Sequence, residues 1–287
     1  MDRDAAKPKK NKDSFKGWCA AAIVFVLAAG ILIACHVARK TAAPSAIAFG
    51  DSIFATMRGR GDAVELLSEK TGGQIVNAAF GGTAMARTGR KKHWDEDWDY
   101  YSMVSLIDSV IARDFSTQRQ SKIGDVATEY FPELVEELDH MRFNKLSLLL
   151  IEYGMNDYQV GIPLENPEDS KDVYTFAGAL RTVLGKAKKE FPNCRIVLVS
   201  PTYSWYLSYE KNCEEIAFGG GYLADYVSLE QQIAKEYDVE FIDLYHDLYA
   251  HESFTDWERY TVDGVHPNET GRELIAERIA ARLEELR

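Results

Sequence analysis

Leu146-Ser147-Leu148-Leu149-Leu150-Ile151-Glu152-Tyr153 is an apolar run of strand length, and it ends in Gly154-Met155-Asn156-Asp157. A run this apolar suits a strand buried on both faces, as in a parallel sheet held between two layers of helices. The same kind of segment recurs on either side of it. Residues 45–49, 74–79, 195–200 and 239–244 read as four further strands. Residues 62–70, 173–190, 222–237 and 269–286 have helical spacing, and Phe191-Pro192-Asn193 supplies a stop signal after the second of these. Strands alternating with helices predict an α/β fold: a three-layer α/β/α sandwich with a five-stranded parallel sheet. The flavodoxin-like order 2-1-3-4-5 is expected.

The chain has 287 residues, with 33 basic and 45 acidic side chains. Its first 40 residues stand apart. Residues 1–16 form a basic leader, and residues 17–38 carry no charge except at His36. At about 1.5 Å per residue such a run spans a hydrocarbon core of about 30 Å. It is expected to be one N-terminal transmembrane helix, a signal anchor, with the leader in the cytoplasm and the rest outside. Leu32-Ile33-Ala34-Cys35 resembles a bacterial lipobox, so a lipoprotein tethered through Cys35 is an alternative. A cleaved signal peptide is another. Residues 39–44 read as a linker, and residues 45–287 as the catalytic-sized domain.

Eight basic and three acidic residues lie in positions 1–40, leaving 25 and 42 beyond, a net charge near −17. A field of that sign repels nucleic acid and anionic polymers, and suits a neutral or cationic substrate. Solubility alone also accounts for it. Cys194 and Cys213 lie in the outer domain, where a bridge is chemically permitted, although two free thiols are the default. No Cys/His metal spacing occurs, and His246, His251, Asp243 and Glu252 lack a recognised ligand pattern.

Two stretches exceed what the sheet needs. Residues 87–141, between strands two and three, hold the acidic aromatic run from Trp94 to Tyr101 and then two helix-like segments. Residues 203–221, after strand four, hold Tyr203, Trp205, Tyr206 and Tyr209. Both follow the carboxyl ends of strands, where open α/β sheets bind ligands. Tyr203 and Trp205 are candidates to stack on a substrate ring, or plain core residues.

Four short motifs also fall at predicted strand ends or a helix entrance. Gly50-Asp51-Ser52-Ile53 presents a serine directly after strand one, as a nucleophile or as a helix N-cap. Asn77-Ala78-Ala79-Phe80-Gly81-Gly82 ends in two glycines, which either let a backbone N–H approach a ligand or only make a turn. Asn156 follows strand three, as an oxyanion donor or an Asx-turn. Asp263-Gly264-Val265-His266-Pro267 can turn a carboxylate onto an imidazole, fixing its tautomer. Each alone reads as turn chemistry. A nucleophile, two donors and an Asp–His pair together do not.

In these four blocks the chain resembles the SGNH, or GDSL, hydrolase superfamily over roughly residues 45–286. Ile53 stands where Leu is commonest. The resemblance implies ester hydrolysis without metal or cofactor. It implies Ser52, His266 and Asp263 as the catalytic set, and the Ser52 N–H, Gly82 (or Gly81) and the Asn156 amide as the oxyanion hole. Asp51 and Asp157, beside these residues, are further candidates for substrate contact. The expected partner is a glycan or small-molecule ester, with acetyl or another short acyl group. Acyl transfer, a lipase or thioesterase reaction and a non-catalytic surface binding protein are the alternatives. An α/β-hydrolase is disfavoured because Gly-x-Ser-x-Gly is missing at Gly50-Asp51-Ser52-Ile53-Phe54. Gly219-Gly220-Gly221 follows no apolar strand, which disfavours a dinucleotide loop.

Overall fold

The computed structural model describes residues 44–89, 96–121, 123 and 126–286. The expected anchor, its leader, Cys35, Trp94 and Asp95 lie outside the described residues. Among the described residues, no helix is long and apolar enough to cross a membrane.

The strands are β1 (Ala46–Gly50), β2 (Val76–Asn77), β3 (Leu148–Glu152), β4 (Arg195–Val199), β5 (Trp205–Tyr206), β6 (Lys211–Asn212) and β7 (Glu240–Ile242). Five of them form one parallel sheet in the order β2-β1-β3-β4-β7, which is the expected order with β7 as its fifth strand. Every residue of β1 is buried, and so are the last four of β3 and of β4. A strand buried at successive positions must be covered on both faces, because neighbouring side chains point opposite ways. Two helical rows supply the cover. Ala63–Thr71 and Glu269–Glu285 pack on each other, while Phe176–Glu190 packs between Met103–Ala112 and Leu223–Glu236.

Side-chain caps start these helices where the sequence breaks its apolar periodicity. Asp62 accepts from the Val64 and Glu65 amides at 3.0 and 2.9 Å, and Asn268 from Gly271 at 3.0 Å. Each such cap contributes about 1 kcal/mol.

β2 is shorter than the expected strand at 74–79. Its ladder continues past Asn77, with Ala78 N–H donating to Ala48 O at 2.7 Å and Phe80 N–H to Gly50 O at 2.9 Å. Between them, however, Ala79 N–H turns to the Asn77 side chain at 3.0 Å. The regular strand is lost where this loop begins to approach Ser52.

The second stretch after β4 forms a small antiparallel hairpin, β5 with β6, which the sequence did not predict. It seats on the loop that carries His266: Trp205 N–H donates to Gly264 O at 2.8 Å. Gly264 has φ +92°, and a Cβ there would stand 2.2 Å from Trp205 O. Only glycine tolerates both that backbone conformation and that approach. Cys194 and Cys213 are free thiols.

Candidate active site

β1 ends at Gly50, and Asp51 caps the one-turn helix Ser52–Ala55 by accepting from Ile53 N–H at 2.9 Å. Ser52 therefore stands at the carboxyl end of β1, next to the central strand β3, at the mouth of a cleft of about 600 Å³. His266 meets it there from the far end of the chain. His266 Nε2 lies 3.0 Å from Ser52 Oγ, and Nδ1 lies 2.6 Å from Asp263 Oδ2.

The Asp-x-x-His turn is held by its own backbone. Asp263 Oδ1 accepts from Val265 N–H at 3.0 Å and from His266 N–H at 2.8 Å. Burial alone would push the Asp263 carboxyl up. The ring and backbone hydrogen bonds from His266, its charge, and the Val265 N–H override that and bring it down to about 2. Asp263 is thus a standing negative charge. Its hydrogen bond raises the His266 imidazole above its ordinary value, against the opposing effect of burial and with help from the charges of Asp263 and Asp51.

Three groups near Ser52 are placed to donate. The Ser52 N–H has no acceptor among the described residues, while its neighbours at 51 and 53 are bonded to Glu152 and Asp51. The Gly82 N–H also has none, and Gly82 lines the cleft at φ +76°. The Gly81 N–H, the alternative donor, is taken by Tyr130 Oη at 2.7 Å. Asn156 lines the cleft too, but its Nδ2 donates to Asp51 Oδ2 at 3.0 Å and to Thr83 O at 2.9 Å. Both hydrogens of the Asn156 amide are thus engaged inside the protein.

Of the further substrate candidates, Trp205 lines the cleft and the other three do not. Asp51 is fully buried beneath Ser52, with Glu152 behind it. Burial pushes Asp51 up to about 6, against the hydrogen bond from Ile53 N–H and the His266 charge, while burial and then the Asp51 charge push Glu152 well above the usual carboxylate range. Asp157 is fully buried and accepts from Met85 N–H and Ala86 N–H, both at 2.9 Å. It ties the loop after β2 to β3's end. Tyr203 is buried, stacked on His251 with centroids 4.1 Å apart. The cleft is completed by residues that no motif announces: Trp98, Tyr130, Gln159 and Tyr206. Gln159 lies three residues beyond Asn156 on the same short helix and Tyr206 beside Trp205, whereas Trp98 and Tyr130 arrive from the long stretch between β2 and β3. Among the described residues, no group of three or more His, Cys, Asp or Glu could hold a metal ion.

The family model for the GDSL-like lipase/acylhydrolase family matches residues 48–274. The chain belongs to this family. That makes the GDSL-like acylhydrolase described here an ester-bond hydrolase. Solved structures agree on the fold. A protein from Lactobacillus plantarum superposes with a TM-score of 0.57 at 20% identity, covering 85% of this chain and 98% of that one. A possible lipase from Chitinophaga pinensis gives 0.55 at 15% identity, covering 84% and 97%. No curated protein matches the acylhydrolase.

Proposed function

We propose that the protein is a serine esterase that removes short, uncharged acyl groups, acetyl foremost, from glycans or small esters. The observation that carries this reading is the continuous contact from Asp263 through His266 to Ser52, at 2.6 and 3.0 Å. Neutral His266 takes the Ser52 proton on Nε2 as Oγ bonds to the carbonyl carbon. The carbonyl oxygen becomes an oxyanion facing the Ser52 and Gly82 amides and the Asn156 side chain. Collapse breaks the ester C–O bond, and His266 gives its proton to the departing alcohol. Water then attacks the acyl-serine with His266 again as base, which releases the acid and restores Ser52.

The uncharged substrate is supported by the cleft lining, whose side chains include no Lys or Arg among the described residues. A carboxylate or phosphate on the substrate would meet Asp263 and an acidic domain, with no compensating cation among the described lining residues. The test is a panel of p-nitrophenyl esters and acetylated sugars, together with fluorophosphonate labelling located by peptide mass spectrometry. The expected result is acetyl ester turnover and a label on Ser52. A label elsewhere, or none, would sink the proposal.

We also propose that residues 17–38 anchor this domain outside the cytoplasm, on the strength of their composition and basic flank. The full chain should fractionate with membranes, and Cys35→Ser should stay there. Release of that variant into the soluble fraction would favour lipidation at Cys35 instead.

A further inference from the structure

From Ala78 to Thr83, the loop that leaves β2 gives each amide an acceptor among the described residues except one. Ala78 N–H donates to Ala48 O at 2.7 Å, Phe80 N–H to Gly50 O at 2.9 Å and Thr83 N–H to Phe80 O at 3.4 Å. Ala79 N–H donates to Asn77 Oδ1 at 3.0 Å, and Gly81 N–H to Tyr130 Oη at 2.7 Å. Within that stretch only the Gly82 N–H is left over among the described residues, and Gly82 lines the cleft. Two adjacent glycines have no side chains to decide which amide turns inward. The decision falls to whatever binds the first of them.

Tyr130 does that from outside the core fold, since it belongs to the long stretch between β2 and β3. Its hydroxyl has one hydrogen and spends it on Ala79 O at 3.3 Å, while its lone pair accepts from Gly81. Both ends of the 79–81 segment are thereby held by one oxygen. The ring is itself fixed. The Arg58 guanidinium lies 5.1 Å from its centroid and donates to Asn77 O, and Phe131 packs edge-on at 5.1 Å. Burial pushes the Tyr130 hydroxyl up, so it keeps its proton at working pH. From the same stretch, the Trp98 ring sits so close to Gly82 that an added Cβ would meet it at 3.2 Å.

We propose that Tyr130 is a positioning residue, which claims the Gly81 amide and the Ala79 carbonyl and so leaves the Gly82 amide as the loop's donor to the oxyanion. This rests on the esterase reading of the same site. The long stretch between β2 and β3 then has a catalytic consequence even where it does not touch substrate. Losing one oxyanion donor outright costs about 10²–10³ in kcat. Loosening a donor without deleting it should cost less.

The test is Tyr130→Phe in the full chain, assayed with p-nitrophenyl acetate. The expected result is a fall in kcat of about 10–100-fold, with KM changed less than about threefold. The pH midpoint should not move, because the His266–Asp263 pair is untouched. Affinity for a phenylboronic acid, which forms a tetrahedral adduct on Ser52, should fall by the same factor as kcat/KM. Unchanged kcat and unchanged boronate affinity would overturn the proposal. Wild-type protein without turnover or Ser52 labelling would instead overturn the esterase reading beneath it. A second measurement needs no variant. In the wild-type chain the Gly82 amide proton should move downfield on boronate binding while the Gly81 amide stays put. The reverse pattern would sink the assignment even if Tyr130→Phe failed to fold.

Discussion

Ser52→Ala is expected to lower turnover of p-nitrophenyl acetate by about 10⁵–10⁶-fold, leaving only the residual rate that a bare oxyanion site supplies. The size of the effect follows from what is lost. Without Oγ there is no acyl-enzyme, so one attack by a positioned alkoxide-like oxygen must be replaced by attack of water with no site built to hold it. The change should be nearly silent in stability. Among the described residues Ser52 Oγ has one hydrogen-bond partner, His266, and the backbone of residues 51–55 is held by Asp51 and the helix itself. Comparison of kcat for the wild-type and variant proteins, each checked by thermal melt, reads this directly. A variant that melts like the wild type yet keeps more than a hundredth of its kcat would remove Ser52 as the nucleophile.

Asp263→Asn is expected to cost about 10⁴ in kcat. Asp263 Oδ2 accepts from the Nδ1 side of His266 at 2.6 Å, which places the neutral ring's hydrogen there and leaves Nε2 free to accept from Ser52. An amide NH₂ in that position would favour the other tautomer, with Nε2 as a donor. The pH profile should change as well. As the proposed base, His266 works only when neutral, so kcat/KM should fall as pH drops through its folded value, which lies above the ordinary 6.5. The Asp263 hydrogen bond is the largest cause of that elevation, so Asp263→Asn should move the acidic limb to lower pH while lowering the plateau. Stability runs the opposite way in the wild type. A folded value raised above the unfolded one contributes stability that is present below about 6.5 and lost as pH rises through the folded value. Asp263 itself, held at about 2, adds stability above about 4 that is lost only as pH falls towards 2. An acidic limb that Asp263→Asn leaves unmoved would refute this account of the pair.

The three inner strands, β1, β3 and β4, were legible because parallel strands buried on both faces must be apolar at successive positions. Strand two was legible in place but not in length, since the Asn77 side chain competes with the ladder for the Ala79 amide. Asp51 and Asp157 illustrate a different limit. Both adjoin residues that line the cleft, yet their side chains turn inward to hold backbone amides. Sequence adjacency says nothing about which way a carboxylate points when unpaired N–H groups lie behind it. Tyr130 and Trp98 were out of reach for another reason. Their contacts with Gly81 and Gly82 span 49 and 16 residues, and no periodicity records them.

The sequence by itself determined the layered α/β plan and the Asp-x-x-His turn, because buried strands and tight turns each have a short-range signature. It did not determine which such turn would matter. Asp243 and His246 repeat the arrangement, with His246 N–H 2.9 Å from Oδ1 and Nδ1 2.8 Å from Oδ2. Locally the two turns are alike. Only the tertiary structure brings one imidazole to a serine 214 residues away, through the packing of the last helix beside the first strand's crossover.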